Sequence, residues 1–159
     1  MKFSTRQDIK APIEYVFTRA TDFEAYGRQA LRRGIEIDRA DEMNCIGTGI
    51  QWNAIFPFRG KLRKVQGELT QFDLPNSFLI QSVSGGLEVD FDVEFLPLSR
   101  NRTRIKVGLD LAPKSLSARL LIQSLKLAKS NLDKRFENRM AKFASEIQDH
   151  YDRANGVHF

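Results

Sequence analysis

The sequence predicts an α+β domain in which an antiparallel meander packs against one long C-terminal helix. Two patterns carry this reading. Between residues 48 and 112 apolar and polar side chains alternate with period two, and turn signals interrupt them at Arg59-Gly60, Leu74-Pro75-Asn76, Gly85-Gly86 and Ser99-Arg100-Asn101. From 115 to 154 a stripe of Leu121, Leu125, Ala128, Leu132, Phe136, Met140, Phe143, Ile147 and Tyr151 repeats in steps of three and four, the period of a helix. A length of 159 residues without repeat, linker or low-complexity stretch reads as one domain over 1–159.

Each element has a local reason. Phe3, Thr5, Gln7 and Ile9 alternate against polar neighbours, which predicts a strand over 3–10. Pro12 ends it, because proline lacks an N–H for the ladder yet suits a helix start. Ile13, Val16, Phe17 and Ala20 follow at helical spacing. Thr21-Asp22 offers a cap for a second short helix carrying Phe23, Tyr26, Ala30 and Leu31, and Gly34 stops it. A brief strand over 35–39 precedes the meander, for six or seven strands in all.

Register can be derived from the turns. A two-residue turn at Gly85-Gly86 sets Ser84 against Leu87, Ser82 against Val89 and Ile80 against Phe91. A turn at Arg59-Gly60 sets Trp52 against Gly67, Ala54 against Val65 and Phe56 against Arg63. A five-residue loop over 97–101 sets Phe95 against Thr103, Val93 against Ile105 and Phe91 against Val107, with Glu94 facing Arg104 and Asp92 facing Lys106. Every hairpin then gathers its apolar residues on one face, which a one-residue slip would destroy. Glu88, Asp90, Asp92 and Glu94 fall on the opposite, wet face and read as solubility and register control.

Composition excludes several classes. The chain has 42% hydrophobic and 28% charged residues, ordinary values for a globular protein, and no apolar run long enough to cross a membrane. No signal peptide is read at Met1–Arg6, and the lone Cys45 fits a reducing compartment, so the expected location is the cytoplasm. Two histidines and one cysteine are too few for a zinc site, and no phosphate loop or catalytic triad is present, so neither metal nor cofactor is expected. His150 and His158 lie at the end of the chain without a neighbouring nucleophile, and neither they nor Cys45 reads as catalytic.

The net charge of +5 is concentrated: residues 114–142 carry eight basic and two acidic side chains. Lys114 and Arg119 sit at the start of the long helix, where the macrodipole disfavours cations. The arrangement reads either as a screened solvated face or as a surface that attracts an anionic ligand, lipid headgroups or nucleic acid.

The opening Ile9-Lys10-Ala11-Pro12-Ile13-Glu14-Tyr15-Val16-Phe17, followed by Asp22-Phe23, resembles the start of the START-like, or SRPBCC, superfamily. Bet v 1-like, polyketide cyclase/dehydrase-like and lipid-transfer proteins belong to it. With the order of elements, the resemblance covers the whole chain and implies a helix-grip fold, a curved sheet wrapped on the C-terminal helix. It further implies a cavity between sheet and helix for an apolar small molecule such as a lipid, polyketide or isoprenoid. On that basis Trp52, Phe56, Phe78, Ile80 and Phe91 are candidate sheet-side ligand contacts, with Leu125 and Leu132 opposite them. Tyr26 stands in the second short helix, where many members carry tryptophan. Ser82 is an inward hydroxyl, and Arg63 is either an anion or carbonyl clamp or a side chain snorkelling out at the sheet edge. Lys114 and Arg119 are the candidate charges at the cavity mouth, for a ligand with an acidic group or for transient contact with an anionic membrane. The leading expectation is a binder or carrier rather than an enzyme. Two rivals remain: a metal-independent cyclase or dehydratase, and a module whose cavity is filled by its own phenylalanines and whose basic helix docks on a partner. Nucleic acid is a disfavoured partner, and the polar-edged helix permits a homodimer.

Overall fold

The alternating N-terminus forms strand β1 (Lys2–Ile9), and the two helical patterns after it form α1 (Ile13–Ala20) and α2 (Phe23–Arg32) in the computed structural model, which describes residues 1–156. Pro12 is the N-cap of α1, and the Asp22 side chain accepts from the Ala25 N–H to cap α2. Gly34, at φ 81°, lets the chain turn out of α2.

Six further strands follow: β2 (Glu36–Arg39), β3 (Gln51–Phe58), β4 (Lys61–Asp73), β5 (Ser77–Ser84), β6 (Leu87–Ser99) and β7 (Arg102–Pro113). They form one antiparallel sheet in the order β1-β7-β6-β5-β4-β3-β2. The predicted registers of β3–β4 and β5–β6 are those observed, including Trp52 opposite Gly67, Phe56 opposite Arg63 and Ile80 opposite Phe91.

The β6–β7 register differs by two residues from expectation. Phe95 faces Ile105, Val93 faces Val107 and Phe91 faces Leu109. The five-residue loop does not form, because β6 continues to Ser99 and a tight turn at Arg100-Asn101, with an irregularity between Pro97 and Ser99 taking up the mismatch. A shift of two preserves which face each side chain occupies but changes the partners. Glu94 faces Lys106, Asp92 faces Gly108, and Arg104 instead makes a bidentate pair with Asp8 of β1 at 2.8 and 3.2 Å.

The C-terminal stripe is divided between α3 (Leu116–Lys126) and α4 (Lys129–Ala154). Ser115 caps α3 by accepting from the Ala118 N–H, and the backbone leaves helical geometry at Ala128, with φ −112° and ψ 20°. One straight helix over this stretch would span roughly 60 Å, far beyond the sheet it must cover. The break lets α3 pack on β7 while α4 packs on β1.

The core lies beneath α1 and α4. Phe17 is fully buried, edge-on to Phe72 at 5.3 Å and Phe95 at 4.9 Å, and Ile9, Val16, Leu69, Ile105 and Ile147 pack in the same cluster. Buried Thr103 donates to the Ala11 carbonyl at 2.9 Å, joining β7 to the β1–α1 connection.

Candidate functional site

Along the inner face of the sheet, side-chain size falls towards one end. At the core end β5 presents Phe78 and Ile80; at the Gly85-Gly86 hairpin it presents Ser82 and Ser84. Gly67 and Val65 supply the neighbouring positions of β4, and a Cβ on Gly67 would lie 3.1 Å from Ser82 Oγ. Small side chains beneath a roof of leucines leave space. A cavity of about 710 Å³ opens there, roofed by Leu121 and Leu125 of α3 and by Leu132 and Phe136 of α4. Its volume lies within the range of small-molecule sites.

The wall is apolar apart from two features. Ser82, Ser84 and Ser117 offer hydroxyls. At the β3–β4 hairpin stand Arg59, Lys61 and Arg63, the only charged residues in the lining among those described. No carboxylate, imidazole or thiol lines the cavity among the described residues. Arg59 and Arg63 both lie against the Phe58 ring, 5.5 and 5.6 Å from its centroid, and such stacking holds a guanidinium without neutralising it. Arg59, in the left-handed region at φ 51°, also donates to Ser124 Oγ at 3.0 Å, tying the hairpin tip to α3.

A second pocket of about 540 Å³ lies between α2 and the β2–β3 edge, with Phe23 and Trp52 at its base and Glu24, Arg28, Glu36, Asp38 and Arg39 around it. Its charges are of both signs, and Arg39 is already paired with Asp41.

Comparison with known proteins places this geometry. By sequence the chain matches no protein-family model and no curated protein. By structure it is similar to TTHA0849 of Thermus thermophilus, with a TM-score of 0.66 and 18% identity over 94% of this chain and 99% of that one. An aromatase/cyclase from a Streptomyces species superposes with a TM-score of 0.65 and 10% identity, covering 97% and 95% of the two chains. A START superfamily protein of Mycobacterium smegmatis gives 0.56 and 16% identity, over 84% and 95%. The chain has the START-like helix-grip fold.

Within that START-like fold the expected site residues separate into two groups. Phe56, Arg63, Ser82, Leu125 and Leu132 all line the cavity. Tyr26, Trp52, Phe78, Ile80 and Phe91 do not. Phe78 is 4% exposed and packs among Phe17, Phe23, Phe91 and Phe95; Ile80 and Phe91 pack against the same core. Trp52 stacks edge-on to Phe23 at 5.1 Å and faces the second pocket. Tyr26 donates to the Arg19 carbonyl at 2.7 Å and packs on Phe143, so it braces α1, α2 and α4 together. Burial pushes its phenol above the ordinary pKa. Lys114 and Arg119 are exposed and outside the lining.

The charges at the cavity are therefore Arg59, Lys61 and Arg63. The expectation included only the last, although the register that turns Arg63 inward also turns Lys61 inward two residues earlier. His150 bonds to Tyr15 on the surface between α4 and α1, away from the cavity, and Cys45 is exposed. His158 lies outside the described residues. Among the described residues no helix is long and apolar enough to cross a membrane.

Proposed function

We propose that this protein binds an apolar small molecule bearing an acidic or strongly polar head, its body beneath α3 and α4 and its head at Arg59, Lys61 and Arg63. The observation that carries the reading is the cavity itself: about 710 Å³ of mainly apolar wall with its cations confined to one hairpin. Burying an apolar body stabilises the complex by roughly 25 cal/mol per Å² removed from water. An anionic head at the hairpin would gain charge-assisted hydrogen bonds. Phe17, Phe78, Phe91 and Phe95 sit at the core end of the sheet, while Phe3, Phe56, Phe58 and Phe136 border the space without filling it. Lipids, polyketides and isoprenoid acids have the required chemistry, and the helix-grip fold also serves the Streptomyces aromatase/cyclase. Binding is favoured over catalysis here because the described lining holds no carboxylate, imidazole or thiol to move a proton, and its one amine, Lys61, stands exposed at the hairpin.

Two dyes of similar size test this: anionic 1-anilinonaphthalene-8-sulfonate and neutral N-phenyl-1-naphthylamine. Wild-type protein should bind both. The K61A/R63A variant should lose about tenfold in affinity for the anionic dye, the equivalent of roughly 1.4 kcal/mol, and stay within about twofold for the neutral one. Leu132→Trp, which fills the cavity, should exclude both. Dye binding unchanged by Leu132→Trp would overturn the proposal. Solvent extraction and mass spectrometry of freshly purified protein would then identify the class of any retained ligand.

A further inference from the structure

Helix α3 is apolar on the side that faces solvent. At 100° per residue Leu116, Leu120 and the following Leu127 fall within about 40° of one another. Their exposures are 74%, 61% and 91%, whereas Ala118 and Ile122 on the opposite side are 3% and 5% exposed. An amphipathic surface helix would have the reverse pattern, with polar groups outward. Here the outward ridge is leucine, and it runs about 16 Å along the helix.

The flanks are cationic. Lys114 precedes the helix, and Arg119 and Lys126 project along one side of the ridge. All three are exposed, and none is in an ion pair among the described residues. No acidic residue occurs between Lys114 and Leu132. A ridge of exposed leucines beside unpaired cations matches a surface that is apolar below and anionic above.

We propose that α3 is an interfacial helix that docks on an anionic phospholipid bilayer, with Leu116, Leu120 and Leu127 entering the acyl boundary and Lys114, Arg119 and Lys126 among the headgroups. A nucleic acid would satisfy the cations but leave the leucines wet. A second copy of the chain would bury the leucines but bring like charges together. A bilayer accommodates both. The inner face of the same helix, at Ala118, Leu121 and Leu125, roofs the cavity, and Leu120 at the edge of the ridge also reaches its lining. A docked α3 would thus place the cavity roof against the membrane, with the Arg59–Ser124 bond holding the hairpin to it. Leu116, Leu127 and the flanking cations lie outside the cavity lining, so docking through them does not depend on what the cavity holds.

The test is co-sedimentation with phosphatidylcholine vesicles, with and without about a quarter of phosphatidylglycerol. Wild-type protein should partition at least about tenfold more strongly onto the anionic vesicles. The L116S/L127S variant, altered only at residues outside the cavity lining, should lose about tenfold or more of that binding while still taking up N-phenyl-1-naphthylamine. R119E/K126E should lose the preference for anionic vesicles. Hydrogen exchange on the wild-type protein gives a readout free of any variant's folding: amides of 116–127 should gain protection on anionic vesicles, and those of 91–95 should not. Equal binding to both vesicle types, undiminished binding by L116S/L127S, no new protection in α3, or a dimer dissociated by L116S/L127S would each overturn the proposal.

Discussion

Tyr26 shows how a residue can be placed on the right face and still serve a different end. Its ring fills the junction of α2 with α4, and its hydroxyl satisfies the Arg19 carbonyl near the end of α1. Tyr26→Phe should therefore cost about 1 kcal/mol in urea unfolding, the net value of one hydrogen bond, and leave dye binding unchanged. Asp41 has a comparable organising role in the connection between β2 and β3. Its carboxylate accepts two bonds from Arg39 and one each from the Met43 and Gln51 backbone N–H groups. The Arg39 bonds come first among the causes that hold its pKa well below the usual carboxylate range, followed by the backbone donors. A depressed folded pKa contributes stability that is present above the unfolded value and lost as pH falls through the folded one. Carboxyl carbon NMR should accordingly find Asp41 ionised at pH 3, below the ordinary midpoint of 3.8, and a midpoint at or above that value would refute the assignment.

At the scale of elements, the junction between the sheet and α3 is set by one close approach. Gly86, at φ 79°, leaves room for Ser115, the N-cap of α3, and its carbonyl accepts from the Lys114 N–H at 2.7 Å. Gly86→Ala would impose a strained backbone and drive Cβ into the Ser115 side chain. The expected result is a loss of more than about 1 kcal/mol in thermal or urea unfolding, together with a fall in affinity for both dyes as α3 shifts. Unaltered stability would show that α3 is positioned by other contacts. Asp92 and Gly108 make a similar pair on the outer face: a Cβ at Gly108 would lie 2.5 Å from the Asp92 carboxylate. Burial, aided by Glu94 and neighbouring aspartates, pushes the Asp92 carboxyl above its usual value. The outer acidic row is thus less neutralised by cross-strand partners than the expected pairing of Asp92 with Lys106 implies.

The whole molecule has two ends with different packing. Around Phe17 aromatic rings interlock beneath α1, and around Leu132 side chains border open space. Truncations should report the difference in one denaturation experiment. Phe17→Ala should cost about 3–5 kcal/mol, because the hole it leaves is surrounded by fixed neighbours. Leu132→Ala, half-buried and already facing a cavity, should cost clearly less. Equal losses would mean that the cavity end is as tightly packed as the core.

Strand positions, turn sites, two of the three hairpin registers and the inward set of side chains follow from the sequence alone, because period-two alternation and turn chemistry act over a few neighbouring residues. The β6–β7 register did not, since sliding one strand along the other by two residues preserves every face and leaves no trace in the pattern. A helical stripe of roughly 40 residues is long enough to call for a bend or fraying near either end. The place of the break, at Leu127-Ala128, is equally silent: neither residue is glycine or proline, and Leu125, Ala128 and Leu132 keep helical spacing across it. Only the tertiary structure decided which inward residues face a void. Phe78 and Ser82 share a strand and a face, yet one is buried beneath α1 and α2 while the other borders the cavity beneath α3. Alternation specifies the face of a sheet, whereas what lies above that face depends on where distant helices come to rest.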